Sequence, residues 1–120
     1  MDKLTEPQKQ FYYIQRFEAE VYNGEFSQYF YNSSGDFTHE TVTTLKEIGA
    51  FTTALILQDA INQFPDKKVP QNRIKRQDIL EKIEIQASSL WNNLDEKFYN
   101  SEEDLNVLLF EFIKKHKDKF

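Results

Sequence analysis

The chain has 120 residues and a formal net charge of −5, and 15% of its residues are aromatic. This length predicts one domain, residues 1–120, that buries about two-thirds of the surface exposed by the unfolded chain. Cysteine is absent, which excludes disulfide scaffolds, thiol catalysis, and zinc-finger and iron–sulfur sites. Every apolar run is shorter than the roughly 18 residues of a membrane span, and residues 1–7 are too polar for a signal peptide. We therefore expect a cytoplasmic protein.

The first predicted helix begins near Thr5 and runs to about Tyr22. Pro7 suits its first turn, because a proline there removes an N–H that has no helical partner anyway. Apolar residues recur at spacings of three and four, as in an amphipathic helix: Phe11, Ile14, Phe17 and Val21. The dipeptide Asn23-Gly24 predicts a turn in which the glycine adopts positive φ and ends the helix.

A second, short helix is predicted over residues 26–30, because aromatic side chains stand at positions i, i+3 and i+4. Residues 32–36 predict a defined loop, since their polar side chains bond to the local backbone and their glycine supplies a left-handed position. Either Asp36 or Thr38 can cap the third helix, which is predicted to end at Gly49.

The fourth predicted helix, at about residues 50–64, is apolar around most of its circumference and is expected to be the central one. Residues 65–72 contain two prolines and predict an exposed, mobile connection. A fifth helix is predicted over residues 72–94, followed by a turn at residues 98–99 and a last helix capped by Ser101. The predicted fold class is all-α, a single-domain bundle of five to six helices around the central apolar helix.

Charge is distributed unevenly along the chain. Residues 18–66 contain eight acids and one base, Lys46, whereas residues 67–76 contain five bases and no acid. Regions of opposite sign steer binding partners as well as keep a protein in solution. The net negative charge argues against direct binding of nucleic acid, whose phosphate backbone requires a basic surface.

Residues typical of catalytic and metal sites are sparse. A nucleophile–base arrangement needs a histidine or an equivalent base, and the only histidines are His39 and His116. His116 lies in a lysine-rich helix end, where a solvated residue is expected. Asp36, His39 and Glu40 lie close together, but no second histidine or ligand spacing supports a metal site. We predict no catalytic, cofactor-binding or metal-binding residue.

Glu18 interrupts the apolar stripe of the first helix and leaves two interpretations open. It is either a partly buried structural carboxylate that accepts hydrogen bonds or a catalytic acid or base with a raised pKa. The aromatic stripe that includes Tyr29 and Phe30 is expected to lie in the core. Tyr22 and Tyr31 fall outside the stripes and are candidate anchors at a protein interface.

The stretch from Glu18 to Asp36 closely resembles the E-x-E-V-x-N-G-G-F-x-Q-Y-F-x-N-S-S-G-D motif of the bacterial DNA-mimic protein family, and the similarity extends over about residues 17–120. The motif transfers no catalytic residue, and most of its positions are expected to determine the fold: Glu18, Asn23, Gly24, Phe26, Gln28, Tyr29, Phe30, Asn32, Ser33, Ser34, Gly35 and Asp36. The chain departs from the motif at Glu25, which replaces the second glycine. If that glycine requires positive φ, either a glutamate at the same position is strained or the turn differs.

The resemblance implies an acidic helical protein whose carboxylates stand in for DNA phosphates and occupy the DNA-binding face of a transcription regulator. We therefore expect a non-enzymatic protein-binding module without cofactors, and the candidate partner-binding residues are Glu20, Glu25, Asp36, Glu40, Glu47 and Asp59. One alternative is an enzyme or small-ligand domain with a pocket near Glu18, Tyr29 and Asp36. Another is weak nucleic-acid binding through the basic segment 67–76, which contains Lys67, Lys68, Arg73, Lys75 and Arg76.

Overall fold

Five α-helices and three short 3-10 helices make up the computed structural model, which describes residues 3–120. The α-helices are α1 Glu6–Tyr31, α2 Thr38–Glu47, α3 Phe51–Ile61, α4 Arg73–Tyr99 and α5 Leu105–Lys115. The predicted all-α class is confirmed. Met1 and Asp2, part of the stretch considered as a signal peptide, lie outside the described residues. Within residues 3–120, no helix combines the length and the apolar character that crossing a membrane requires.

Aromatic side chains of the two longest helices, α1 and α4, form the centre of the core. The Phe30 ring lies 5.3 Å from Trp91 of α4 and 4.9 Å from Phe64, measured between ring centroids. Trp91 is buried, and its indole N–H donates to the carbonyl of Ala60 at 3.1 Å, which ties α4 to α3. Tyr29 and Phe30 are both fully buried, which confirms their predicted place in the core.

Two helices are longer than predicted. Helix α1 continues to Tyr31 instead of ending at Tyr22, so the predicted turn and the short second helix are parts of one bent helix. Helix α4 continues to Tyr99 instead of ending at residue 94. The predicted turn after residue 94 is wrong because Phe98 lies one helical turn beyond Leu94 and extends the buried stripe of α4.

The cap of α5 also differs from the prediction, and α3 is capped from a distant part of the chain. Asp104, not Ser101, caps α5: its carboxylate accepts from the N–H groups of Asn106 and Val107 at 3.0 and 3.2 Å. The neighbouring Glu103 carboxylate turns away to α3, where it accepts from the N–H groups at residues 52 and 53 at 3.1 and 2.8 Å. Glu103, which lies just before α5 in the sequence, therefore caps α3 instead.

The motif loop, residues 32–36, wraps around a buried arginine. The side chain of Arg76 is fully buried, and each of its five N–H groups donates a hydrogen bond. The acceptors, at 2.6 to 3.1 Å, are the carbonyls of Phe30, Asn32, Pro70 and Gln71 and the carboxylate of Asp36. Only glycine fits at residue 35, because a Cβ there would lie 2.9 Å from the Arg76 Nε and from the Tyr29 carbonyl.

This arrangement corrects two predictions about residues 65–76. Arg76 is not part of an exposed basic segment, since its guanidinium lies inside the fold. The connection before α4 is not exposed along its whole length, because Val69 is buried and its N–H donates to His39 Nε2 at 3.0 Å. The two carbonyls that follow Val69 accept from Arg76, so the segment is fastened to the core at several points.

We predict that Arg76→Met lowers the free energy of unfolding by about 3–5 kcal/mol, because it leaves four carbonyls and the Asp36 carboxylate without this donor. Arg73→Met is the matched control. Arg73 binds the same carboxylate at 3.2 Å, but its side chain is 50% exposed, so its loss is expected to cost at most about 1 kcal/mol. Urea denaturation measures both variants, and equal losses would contradict a structural role that depends on burial.

Candidate partner-binding face

The bend in α1 lies at Glu25, which has φ 68° and ψ −177°. This backbone conformation is almost restricted to glycine and typically costs another residue about 1–3 kcal/mol. The strain predicted for a glutamate in place of the second motif glycine is therefore confirmed. The prediction that Gly24 supplies the positive φ is wrong, since the reversal occurs one residue later.

A ladder of polar side chains braces the bend on one side of α1. The Glu20 carboxylate accepts from the Gln28 amide at 2.7 Å and from the Asn32 amide at 3.3 Å, so it joins the two halves of the helix. The Gln28 side chain passes directly over Gly24, where a Cβ would lie 1.9 Å from its Oε1. The glycine at residue 24 is therefore required by this close approach rather than by its backbone angles.

Asp95 of α4 caps the second half of α1. Its carboxylate accepts from the N–H of Phe26 at 3.0 Å, and the residue is only 2% exposed. Burial and the neighbouring Glu25 carboxylate raise the pKa of Asp95 to about 7, although the Phe26 N–H acts in the opposite direction. The carboxyl groups of Asp95 and Glu25 therefore lie close together at the strained backbone of Glu25.

Two exposed tyrosines lie beside this carboxyl pair. The rings of Tyr22 and Tyr99 are stacked with centroids 5.6 Å apart, and the residues are 54% and 40% exposed. The Tyr99 hydroxyl donates to the carbonyl of Val21 at 3.0 Å. Burial and then the charges of Asp95 and Glu25 raise the pKa of Tyr99, which places the tyrosines and both carboxyl groups on one face of the molecule.

A second pair of like charges lies near the same face. Glu18 precedes Tyr22 by one turn of α1 and is half-buried, and its pKa is raised by burial and by the charge of Asp104. Burial raises the pKa of a structural carboxylate as well as of a catalytic one, so both interpretations of Glu18 stay open. We call this surface the acidic–aromatic face; it consists of Glu18, Tyr22, Glu25, Tyr99 and Asp104, and the buried carboxyl group of Asp95 lies beneath it.

The remaining candidate acids divide into engaged and exposed residues. Glu20 braces the bend, and Asp36 bonds to both Arg73 and Arg76 at 3.2 and 2.7 Å. Burial tends to raise the pKa of Asp36, but the two guanidinium groups outweigh it and lower the pKa. The other three candidates, on α2 and α3, are exposed: Glu40, Glu47 and Asp59. Of these, Glu47 is also engaged, because its carboxylate accepts from the Gln10 side-chain amide at 2.5 Å.

The structure does not bring Glu18, Tyr29 and Asp36 into one pocket. Tyr29 is fully buried with its hydroxyl 3.4 Å from Thr41 Oγ1, and burial raises its pKa to about 12. One surface cavity of about 310 Å³ lies between the end of α2 and α5, and another of about 380 Å³ lies between the second half of α1 and α4. Neither cavity is lined by any of these three residues.

The basic segment offers fewer free cations than its sequence indicates. Arg76 is buried and Arg73 is paired with Asp36, and the three exposed lysines are Lys67, Lys68 and Lys75. His39, considered above with two acids as a metal ligand, uses its Nε2 to accept from Val69. Within residues 3–120, no group of three or more His, Asp or Glu side chains is placed to hold a metal ion.

We predict that Glu25→Gly is more stable than Glu25→Ala by about 1 kcal/mol. Both variants lack the carboxylate, but only alanine keeps the strain of positive φ, and the gain is reduced by the greater freedom of glycine in the unfolded chain. Urea denaturation at one pH measures the difference. Equal stabilities would mean that the backbone at residue 25 relaxes without cost.

Comparison with known proteins places the chain in a family. A family model described as DMP19-like protein matches residues 2–116. No curated protein and no solved structure gives a significant match. The match covers almost the whole chain and agrees, at the level of the family, with the resemblance to DNA-mimic proteins that the motif of residues 18–36 indicates. The chain therefore belongs to the DMP19-like protein family.

Proposed function

We propose that the chain is a non-enzymatic module that binds a cationic protein surface through the acidic–aromatic face. The observation that carries the proposal is Glu25, a carboxylate in a nearly glycine-only conformation next to the buried carboxyl group of Asp95. Backbone strain and clustered like charges both lower stability, and both concentrate at functional sites. A function in binding gives a reason for a glutamate at this position.

The chemistry of the face suits arginine. A guanidinium binds carboxylates through paired hydrogen bonds and also stacks on aromatic rings. The acidic–aromatic face offers both kinds of group, since exposed Tyr22 and Tyr99 lie between the carboxylates of Glu18 and Glu25. Exposed aromatic residues are also the most frequent anchors of protein interfaces.

Membership of the DMP19-like family supports DNA mimicry as the form of this binding. The partner is then a DNA-binding protein, such as a transcription regulator, whose arginine and lysine residues contact the module instead of phosphates. Exposed carboxylates on other faces extend the negative field. Glu40 and Glu47 of α2 are separated by two helical turns, about 10 Å, which is close to three phosphate steps of about 3.4 Å along one DNA strand.

We predict that Tyr22→Ala/Glu25→Gln reduces the amount of partner retained from a native cell extract by at least about tenfold, the loss expected when an interface anchor is removed. The immobilised protein is tested with and without added duplex DNA, which is expected to compete. Tyr31→Ala/Glu84→Gln is the matched control. It removes Tyr31, which is as exposed as Tyr22, at 52% against 54%. It also removes the carboxylate of Glu84, which lines the cavity between the second half of α1 and α4.

The results separate three cases. Loss in the first variant together with competition by DNA supports both the face and the mimicry. Loss in the first variant without competition keeps the face and contradicts the mimicry. Equal retention by the wild type and both variants would remove the acidic–aromatic face as the binding site, and it would leave exposed carboxylates such as Glu40, Glu47 and Asp59 to be tested next.

A further inference from the structure

We propose that the cavity between the second half of α1 and α4 binds the guanidinium group of a small molecule. Its volume of about 380 Å³ falls within the range of small-molecule sites, about 300–1,000 Å³. The cavity shares no residue with the acidic–aromatic face, so this inference does not depend on the proposed function. The lining residues include Gly24, Gln28, Tyr31 and Asn32 of α1 and Leu80 and Glu84 of α4.

Hydrogen bonds to Glu20 fix the orientation of the two amide side chains at the cavity. The Glu20 carboxylate accepts from the Gln28 amide at 2.7 Å and from the Asn32 amide at 3.3 Å. A carboxylate can only accept, so each amide turns its NH2 group towards Glu20 and leaves its carbonyl oxygen for another donor. Within residues 3–120, no protein donor bonds to either oxygen. The two amides therefore present acceptors rather than donors to a ligand.

The amide oxygen of Gln28 lies over Gly24, which lines the same cavity. A Cβ at residue 24 would lie 1.9 Å from this oxygen, so the absence of a side chain there provides the space for it. The Asn32 residue is held as well, because its backbone carbonyl accepts from the buried Arg76 at 2.9 Å. Both acceptors are thus fixed before a ligand arrives, which lowers the entropic cost of binding.

An aromatic ring and a carboxylate complete the walls of the cavity. Tyr31 is 52% exposed, whereas Leu80 is 3% exposed and provides an apolar contact. Glu84 lies one helical turn after Leu80, on the same face of α4, and its side chain is exposed. Among the described residues, no ion pair includes Glu84. Its charge is therefore available to a ligand in the cavity.

This combination of groups selects the chemistry of the ligand. None of the residues that line the cavity is basic, so an anion finds no partner there. Carbonyl oxygens and a carboxylate require a cation with several N–H donors, and an exposed tyrosine ring favours a flat cation that stacks on it. A substituted guanidinium has five N–H donors in one plane, whereas an ammonium group has three around one strongly hydrated nitrogen. We therefore expect the cavity to prefer guanidinium to ammonium.

NMR titration of the free protein with propylguanidinium tests the site. We expect saturable shifts of the side-chain amide signals of Gln28 and Asn32 and of the backbone amide signal of Gly24. Propylammonium is the matched control ligand, because it has the same charge and alkyl chain but lacks the planar set of donors. It is expected to bind at least about tenfold more weakly. Equal affinity for the two cations would contradict a guanidinium site.

Two double variants locate the site. Tyr31→Ala/Glu84→Gln is expected to weaken the binding of propylguanidinium by at least about tenfold, because it removes the stacking surface and the charge. Both side chains are exposed, so this variant is expected to stay folded. Tyr22→Ala/Glu18→Gln is the matched control: it removes one tyrosine and one carboxylate from the acidic–aromatic face and leaves the Gln28 and Asn32 shifts unchanged.

Shifts that never saturate, or an unchanged affinity in Tyr31→Ala/Glu84→Gln, would overturn the site. Saturable shifts confined to signals around Tyr22 and Tyr99 would overturn the cavity and instead support guanidinium binding at the acidic–aromatic face. The titration uses no protein partner, so a failure of partner capture leaves its result intact.

The same variant separates two sources of the guanidinium group. If Tyr31→Ala/Glu84→Gln loses propylguanidinium but retains as much protein partner from the cell extract as the wild type does, the ligand is a small molecule, as proposed. If the variant also loses the partner, the group belongs to an arginine of that partner, which contradicts a small-molecule site.

Discussion

The buried guanidinium of Arg76 is the interaction on which the rest of the structure depends. It bonds to the end of α1, to the loop that follows and to the segment before α4, so it fixes how the two longest helices cross. A charged group buried in this way is tolerable only when every donor is satisfied, and Arg76 meets that condition with five acceptors. Residues 30–36 close around it, so Arg76 fixes the position of the C-terminal end of α1.

The bend of α1, between its first half and the end fixed by Arg76, places the candidate site. The change of direction occurs at Glu25, and the ladder from Glu20 to Gln28 and the cap from Asp95 hold the two halves at a fixed angle. The same bend brings the exposed Tyr22 ring onto Tyr99 of α4. The acidic–aromatic face thus arises from the geometry of the core and needs no flexible loop to form it.

Periodicity predicted the helices well because their buried stripes are local features, as the stripe of α5 shows. It could not predict partners that come from distant parts of the chain. Glu103 looks like a first-turn acid of α5, yet it caps α3 from fifty residues away. Arg76 sits in a run of five bases that resembles a solvated segment, and only the tight glycine at residue 35 hints at its burial. The capping role of Asp95 has no local signal either, because the N–H group that it caps, that of Phe26, lies 69 residues away in the chain.

The ladder across the bend has a consequence for how the sequence can vary. Residues 20, 24, 28 and 32 are spaced by four, so they lie along one side of α1, on both sides of the bend. Enlarging residue 24 displaces the Gln28 side chain, and losing Gln28 releases Glu20, so substitutions at these positions are expected to be strongly non-additive. The four residues therefore act as one packing unit, in which a larger side chain at residue 24 is tolerated only if the side chain at residue 28 is shortened or redirected.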